Sequence, residues 1–365
     1  MPTDGAPVTG LPLPARRVFR LAVVAALALA VSYGLGATLP FLAPIFALIL
    51  TATPAPPLGI KGMVGLCLAV ITTFGLGLVL APLLISYPLS AVLMIAVGIY
   101  ASNHLAINLG KGLVATLLVM GITLVSAAGT VSTALAVGMI QALVVGIGIA
   151  VVCQLVVYPW FPEDPPMADQ PESAAPVGPA GAWAVMRATL VVLPVYLLTL
   201  TNPTFYLPVI MKSVVLGQQT TGLALKDAGR ELLESTLLAG ILAIAIWGVL
   251  TISVNLWMYT LLMLLVTIAC GGRLYGAIRS RFTPSFWQNA LVTMLILLGA
   301  AVEDSANGKD VYQAFAVRIS LFVGVTVYAW LAVVGLDRLR RRMLTGGARR
   351  RLESTASRSA ARGNA

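Results

Sequence analysis

Two cations, Lys212 and Arg318, stand inside long apolar stretches of the second half of the chain. A charged side chain near the middle of a bilayer costs roughly 2.5 to 3.5 kcal/mol on insertion scales, so such residues commonly mark the path of a solute. Arginine binds a carboxylate through two parallel hydrogen bonds. The pair therefore predicts a cationic patch for an organic anion. The alternatives are a lysine that snorkels to the interface and an arginine that anchors a helix end.

Lys212 belongs to one of two short apolar segments, 40–54 and 203–217, which begin with prolines such as Pro44 and Pro208. Proline fits the first turn of a helix, where free N–H groups and the positive end of the helix dipole attract anions. Short helices at matching positions of two halves commonly line a transporter's binding site. The candidate substrate site comprises Lys212, Arg318, Pro208, Asn202 and Tyr206.

A charged cluster opens a later segment and offers groups for coupling transport to protons. Glu234 reaches deepest into the apolar sequence, where a buried carboxylate can take up and release a proton. Arg230 lies four residues before Glu234, the spacing of an ion pair on one helix face. The alternative is a charged helix start at the cytoplasmic surface, with acids near the N-terminus as the helix dipole favours. The proton-coupling candidates are Glu234, Glu231, Asp227 and Arg230.

Other polar residues are weaker candidates. His104, the single histidine, is a plausible pH sensor or a residue satisfied at an interface. Asn289 suits a hydrogen bond between helices, and glycines such as Gly75, Gly77, Gly146 and Gly148 suit close helix packing. No phosphate-binding loop, metal-ligand cluster or nucleophile elbow occurs in the sequence. The chain is therefore not predicted to be an enzyme, nor to hold a cofactor or a metal.

The composition points to an integral membrane protein. Of the 365 residues, 59% are hydrophobic and only 10% charged, and the mean hydropathy is +0.96, whereas soluble domains are roughly 25% charged. The net charge of +10 is concentrated at segment ends and in the C-terminal tail, which is typical of cytoplasmic anchors rather than of nucleic-acid binding. We predict a multi-pass protein of a cytoplasmic-type membrane, with both termini in the cytoplasm and with lipid as a partner.

Turn residues divide the apolar sequence into twelve segments. Their predicted bounds are 17–36, 40–54, 61–83, 87–105, 111–127, 132–157, 186–201, 203–217, 229–252, 255–270, 284–301 and 312–336. The fold class is all-α, with ten long spans and two short proline-started segments. The predicted domains are a disordered N-terminus (1–15), a first transmembrane repeat (16–157), a Pro-rich acidic linker (158–185), a second transmembrane repeat (186–337) and a basic, disordered cytoplasmic tail (338–365).

The two halves align as an internal duplication. Arg20 and Arg187 open corresponding segments, and Lys61 aligns with Lys226. The first-repeat counterparts of the site are Pro44, Lys61 and His104; Leu48 and Gly138 stand approximately where the second half has Lys212 and Arg318. Six passes per half make the repeats parallel. If the short segments were re-entrant, each half would have five spans and the repeats would be inverted.

Arg20 before a long apolar helix, then Leu39-Pro40-Phe41-Leu42-Ala43-Pro44, then a basic residue opening the Gly-rich stretch 61–77, with a second copy after a linker, resembles the fusaric acid resistance and aromatic acid exporter family. The resemblance covers residues 16–337. It implies inner-membrane efflux of organic acids and toxic aromatic compounds, beside a periplasmic membrane fusion protein. The family is also distantly similar to plant malate channels.

Three functions follow from the residues and the resemblance. The first is export of organic anions such as aromatic carboxylates, driven by the proton motive force. The second is a passive anion channel, which needs the cationic patch but no titrating carboxylate. The third is a non-transporting membrane subunit that assembles others. The oligomeric state is open, and includes a homo-oligomer.

Overall fold

The computed structural model describes residues 11–53, 60–163, 179–219, 227–306, 308 and 310–363, and these form helices with no strand. The first half contains α1 (Leu13–Gly34), α2 (Leu42–Ala52), α3 (Ile60–Ser86), α4 (Pro88–Asn108), α5 (Gly112–Met120), a π-helix (Gly121–Val125), α6 (Ser126–Val131), α7 (Thr133–Val157) and a 3-10 turn (Tyr158–Trp160). The second half contains α8 (Pro179–Thr201), α9 (Pro203–Gln219), α10 (Asp227–Leu250), α11 (Leu256–Leu274), α12 (Pro284–Ala306) and α13 (Val311–Gly363).

Ten helical spans in the described part are long and apolar enough to cross a membrane, and α2 and α9 are the shorter apolar helices. This confirms the predicted class, an all-α membrane protein with ten long and two short segments. A helix satisfies its own backbone hydrogen bonds, so it can cross a layer that offers none. Apolar side chains also face outward, as a lipid-exposed surface requires; examples are Val79, Leu93 and Leu265.

Local signals set the starts of several helices. Ser132 precedes α7 and its hydroxyl accepts a hydrogen bond from the backbone N–H of Leu135. Asn255 precedes α11 and its side-chain oxygen accepts from the N–H of Met258 at 2.6 Å. Such caps satisfy N–H groups that have no partner within the helix. The helices α7 and α11 therefore begin within one residue of the N-terminal ends predicted for the segments 132–157 and 255–270.

The two halves repeat the same helix contacts. Segments 1 to 6 are α1, α2, α3, α4, α5–α6 and α7 in the first half, and α8 to α13 in the second. Within each half, segment 1 packs on segments 2 and 6, and segment 3 packs on segments 5 and 6. Between the halves, segment 1 packs on segment 4 of the other half (α1 on α11, α8 on α4), and segment 2 packs on segment 5 (α2 on α12, α9 on α5 and α6). This reciprocity is the signature of a pseudo-twofold arrangement.

α2 passes from one end of α1 back to the other. The Ser32 hydroxyl, near the end of α1, donates to the carbonyl of Pro40 at 2.7 Å. The hydroxyl of Tyr275, directly after α11, donates to the carbonyls of Thr51 and Ala52 at the far end of α2, and α11 packs along α1. At 11 residues, α2 is about 16 Å long, against a hydrocarbon core of about 30 Å. α2 covers about half of this thickness, so six passes per half with parallel repeats stays a prediction.

Glycines bring segments 3 and 5 of the first half together. A Cβ added to Gly77 of α3 would lie 2.0 Å from the carbonyl oxygen of Gly121 in the π-helix. A Cβ on Gly75 would meet no atom within 4 Å. The same contrast holds in α7, where Gly146 faces Leu42 and Gly148 faces open space. The predicted close packing is confirmed for Gly77 and Gly146 and is wrong for Gly75 and Gly148.

Two predicted domain bounds are also wrong. The linker predicted at 158–185 ends earlier, because α8 already begins at Pro179. The tail predicted as disordered at 338–365 continues α13 as helix to Gly363. It is rich in Arg, Ala and Leu, which are strong helix formers even without an apolar face. Of the predicted disordered N-terminus 1–15, residues 1–10 lie outside the described part, and α1 begins at Leu13.

Candidate functional site

A cavity of about 550 Å³ lies between the two halves. The first half contributes the start of α2, one π-helix residue and the first part of α7, while the second half contributes α9, α12 and α13. These are segments 2, 5 and 6 of both repeats, so the cavity lies where the halves meet. Its lining residues are Thr38, Leu39, Phe41, Leu42, Leu124, Ala134, Leu135, Gly138, Met139, Leu143, Leu207, Met211, Ile296, Ala300, Glu303 and Arg318.

The start of α2 is held firmly at the edge of this cavity. Leu42 packs on Gly146, about half way along α7, so α2 begins opposite the middle of that helix. The ring of Phe41 lies against Gly299 of α12, where an added Cβ would come within 2.2 Å of it. Any side chain at Gly299 would therefore displace Phe41. The N-terminal end of α2, with Pro44 buried in its first turn, faces the place where a ligand can sit, as the positive end of a half-helix does in many transporters.

Among the described residues that line the cavity, the charged ones, Glu303 and Arg318, belong to the second half. Arg318 of α13 forms an ion pair with Asp304 of α12, and both Arg318 and Glu303 line the cavity. Arg318 also lines a smaller pocket of about 370 Å³, together with Asp310 and Gln313 at the start of α13. The guanidinium thus stands between the main cavity and this second pocket. Gly138, the counterpart of Arg318 in α7, lines the cavity without a side chain.

Lys212 lies beside the cavity rather than in its wall. Its Nζ donates to Asn289 Oδ1 at 2.8 Å and to Thr293 Oγ1 at 2.5 Å, both on α12. Asn289 in turn donates to Ser235 of α10 at 2.6 Å. These four side chains are buried, and the hydrogen bond between helices that the sequence predicts for Asn289 is confirmed. Met211, the residue before Lys212, does line the cavity.

The Lys212 amine donates to two neutral oxygens, and no carboxylate in the part of the chain that the structure describes pairs with it, so the amine can take up or release a proton. Lysine is the cation whose protonation responds most readily to burial. Its partner Thr293 lies one helical turn before Ile296, which forms part of the cavity wall. A change at Lys212 therefore reaches the cavity through α12 and through Met211. Lys212 lies on α9 and Arg318 on α13. Their side chains contact the same helix, α12, and not each other.

The remaining candidates of the short segment lie at its entrance. Asn202 is exposed and caps α9, with its side-chain oxygen accepting from the N–H of Phe205 at 3.3 Å. Tyr206 is partly buried and packs edge-on against Phe205. The backbone of Pro208 lies in α9, but its side chain is outside the described part. The cavity reaches α9 at Leu207 and Met211 instead.

The proton-coupling candidates lie away from the cavity. Glu234 is paired with the largely exposed Arg230, with Nε and Oε1 2.6 Å apart. Glu231 accepts a hydrogen bond from the N–H of Thr283 before α12. The side chain of Asp227 lies outside the described part. Glu234 is thus not the deeply buried carboxylate that its apolar neighbours in the sequence predict, because its side chain reaches back along the helix to Arg230.

Two of the first-repeat counterparts, Pro44 and His104, are not lining residues of the cavity. His104 is exposed on α4, whereas its neighbour Asn103 is buried and donates to Thr189 of α8 at 3.2 Å. Lys61 lies in the first turn of α3, and its side chain is outside the described part, as is all of Lys226. The sequence analysis did not single out two side chains, Glu303 at the cavity and Thr293 beside Lys212. The spacing of Ile296, Ala300 and Glu303 by four and three residues puts these three on one helix face, which is the sequence signal that could have found Glu303.

Fold and site together define a multi-pass, all-α membrane protein with a charged cavity between two repeats. A model of DUF2955, a family of proteins of unknown function, matches residues 17–157. The match runs from within α1 to the last residue of α7, so it coincides with the first half. No curated protein and no solved structure matches the chain.

Proposed function

We propose that this chain is a transporter that exports organic anions, such as aromatic carboxylates, across a bacterial inner membrane at the expense of the proton motive force. The observation that carries the proposal is the cavity formed by segments 2, 5 and 6 of both repeats. Transporters built from repeats hold their substrates at the repeat interface, beside half-helices. The resemblance to aromatic acid exporters supports the same class of substrate.

The cavity suits an amphiphilic anion. Its volume of about 550 Å³ falls within the range of about 300 to 1,000 Å³ for small-molecule sites. Its walls are mostly apolar, and Phe41 supplies an aromatic face. Arg318 and the start of α2 supply the groups that favour a carboxylate. In this proposal the anion displaces Asp304 from Arg318 and leaves through the pocket that Arg318 shares with Asp310.

Lys212 is the group that we assign to proton coupling, in place of Glu234. It is 1% exposed, whereas the Glu234 side chain is 33% exposed and tied to Arg230. Protonation of Lys212 changes the charge beside α12, and α12 carries Glu303 and Asp304 at its far end. Substrate and proton would thus act on the same helix.

A passive anion channel is the second candidate, and one observation favours it. Arg318 lines the cavity and keeps its charge at any physiological pH, so it can attract anions without any titration. The two functions differ in whether anion movement against a gradient follows the proton gradient. An exporter moves anions uphill and a channel only downhill.

The test is transport in proteoliposomes with an imposed pH gradient. Phthalate is a suitable labelled probe, because its two charges suppress leakage through lipid. Accumulation that collapses with a protonophore identifies an exporter, and equilibration that ignores the protonophore identifies a channel. Arg281→Gln, which removes an exposed arginine outside the cavity, is the matched control for Arg318 variants. Phthalate flux equal to that of protein-free vesicles in both modes would overturn both candidates.

A further inference from the structure

Two arginines, Arg17 and Arg20, form a cluster at the opposite end of α2 from the cavity. Arg17 and Arg20, one turn apart on α1, converge on the single carboxylate of Glu163. The Nε of Arg17 donates to Oε1 at 2.7 Å, and Nη2 of Arg20 donates to Oε2 at 2.7 Å. Each carboxylate oxygen therefore has its own guanidinium. This is the arrangement by which proteins recognise a carboxylate with two charge-assisted hydrogen bonds.

The carboxylate comes from the segment 158–163, named here the strap, which follows α7. The strap also covers Arg20 through the carbonyl of Phe161 at 3.3 Å and the ring of Tyr158, whose centroid lies 5.6 Å from the guanidinium. The Arg20 side chain is only 2% exposed, whereas that of Arg17 is 27% exposed. In the described part of the chain, the hydrogen-bond, ion-pair and ring contacts of the Arg20 guanidinium all come from the strap, which therefore covers it.

An aromatic ring accompanies the carboxylate. Phe161, two residues before Glu163, stacks on Phe19 of α1 with ring centroids 5.9 Å apart and planes 22° from parallel. Offset-stacked rings at such distances attract each other beyond the area that they bury. The strap thus presents to α1 an aromatic ring and a carboxylate side by side. An aromatic carboxylate carries the same two groups, a ring and a carboxylate.

The cluster adjoins the end of α2. Tyr275, which donates to the carbonyls of Thr51 and Ala52, lies within electrostatic reach of Arg17, Arg20 and Glu163. The first residues of α2, Phe41 and Leu42, line the cavity. One helix of about 16 Å therefore connects the arginine cluster with the cavity.

We propose that Arg17 and Arg20 form a loading site for aromatic carboxylates, which the strap closes by placing Phe161 and Glu163 where the ligand binds. The inference rests on the proposed function for its role in transport, but the binding itself does not. Displacement of the strap exposes Arg20 and delivers the anion at the end of α2. Because the strap is tethered to α7, it competes at a high effective concentration and weakens the apparent affinity of the closed protein.

The first test is ligand binding to the detergent-solubilised full chain, with benzoate as the probe and neutral benzamide as its isostere. Glu163→Gln removes the competing charge, and we expect benzoate to bind at least tenfold tighter than to the unsubstituted protein. Adding Arg20→Lys to that variant should remove the gain, since the lysine ammonium cannot reproduce the fixed pair of donors, Nη1 and Nη2, that the Arg20 guanidinium presents. Glu231→Gln, a carboxylate held by Thr283 instead of arginines, should bind like the unsubstituted protein. A folded Glu163→Gln protein with no gain would overturn the site.

A second measurement keeps the test decisive if Glu163→Gln does not fold. In a Pro162→Cys variant, the rate of maleimide labelling reports how often the strap opens. Benzoate should raise that rate at least threefold and benzamide should not; equal rates would overturn the proposal. Failure of the two proposals can be told apart. Binding at Arg20 without phthalate flux contradicts the transporter, and flux without binding at Arg20 contradicts the loading site.

Discussion

Gly138 and Arg318 line one cavity from the last helices of the two halves, at positions that the alignment of the repeats pairs. A guanidinium therefore stands where its counterpart has no side chain. The helices that carry them, α7 and α13, pack on equivalent neighbours in each half. Corresponding helices of the two repeats form the walls of the site, and a difference between the repeats, Arg318 in place of glycine, gives the site its positive charge.

Arg318→Gln is expected to lower both stability and transport. The change removes the cation from the buried Asp304, and breaking a buried pair costs about 3 to 5 kcal/mol, reduced here because Arg318 is 20% exposed. The double variant Arg318→Gln/Asp304→Asn removes both charges and should recover most of the lost melting temperature. Phthalate flux should stay at least tenfold reduced in both, since the anion contact is gone.

Melting curves from tryptophan fluorescence and flux in proteoliposomes check the two effects separately. Full transport by the double variant would show that the ion pair is structural and that Arg318 does not contact the anion. Arg281→Gln should change neither quantity, since its side chain is exposed away from the cavity.

Lys212→Met tests whether Lys212 takes part in transport or only in the packing of the helices. Methionine has a similar volume and removes the cost of desolvating a charge, and Asn289 Oδ1, which loses the lysine, can still accept from the Thr293 hydroxyl at 3.4 Å. We therefore expect an unchanged or higher melting temperature with at least tenfold less phthalate flux. Ser213→Ala is the matched control, because Ser213 is equally buried and bonds only to the carbonyl of Ile210 in its own helix. Unchanged flux in Lys212→Met would leave the network a structural role only.

Glu234→Gln should leave uphill transport intact. Its carboxylate pairs with Arg230 at the surface of α10, where ion pairs contribute little, and it is not among the residues that line the cavity. The measurement is pH-driven phthalate accumulation, compared with that of the unsubstituted protein. Loss of accumulation with downhill flux retained would restore Glu234 as the coupling residue that the sequence predicts.

The helical segments could be predicted from the sequence, but the side-chain contacts between different helices could not. Apolar runs and turn residues give the spans because burial in lipid demands them, and Ser132 and Asn255 cap helices where their side chains predict. The contact of Lys212 with Asn289 joins residues 77 positions apart, and no local pattern encodes such a distance. Glu303 was not among the predicted site residues, because its place in the cavity depends on how the two halves meet.

Gly77→Ala is expected to destabilise the first half. The new methyl group would lie 2.0 Å from the backbone oxygen of Gly121, and backbone cannot move aside as a flexible side chain can. Overpacking of this kind costs about 1 to 3 kcal/mol. Gly75→Ala, on the same helix with open space around it, should be neutral or slightly stabilising because alanine favours helix. Equal melting temperatures for the two variants would contradict the close contact of α3 with the π-helix.

Acid should loosen the strap through Glu163. Partial burial disfavours the charged form of this carboxyl, but hydrogen bonds from Arg17 and Arg20 and their positive charge outweigh it and hold the pKa of Glu163 below its ordinary value. A lowered pKa in the folded state stabilises the protein fully above the unfolded value of about 4.3, and this contribution is lost as the pH falls through the lower, folded value.

Melting temperatures of the unsubstituted protein and of Glu163→Gln should therefore differ by a constant amount from pH 7 to about pH 5 and converge below about pH 4. Taking the difference between the two proteins cancels the titration of the other acids. Ser213→Ala, which removes no ionisable group, should show no such convergence. A difference that persists unchanged at pH 3 would mean that the charge of Glu163 does not hold the strap, and that Arg17 and Arg20 are covered by packing alone.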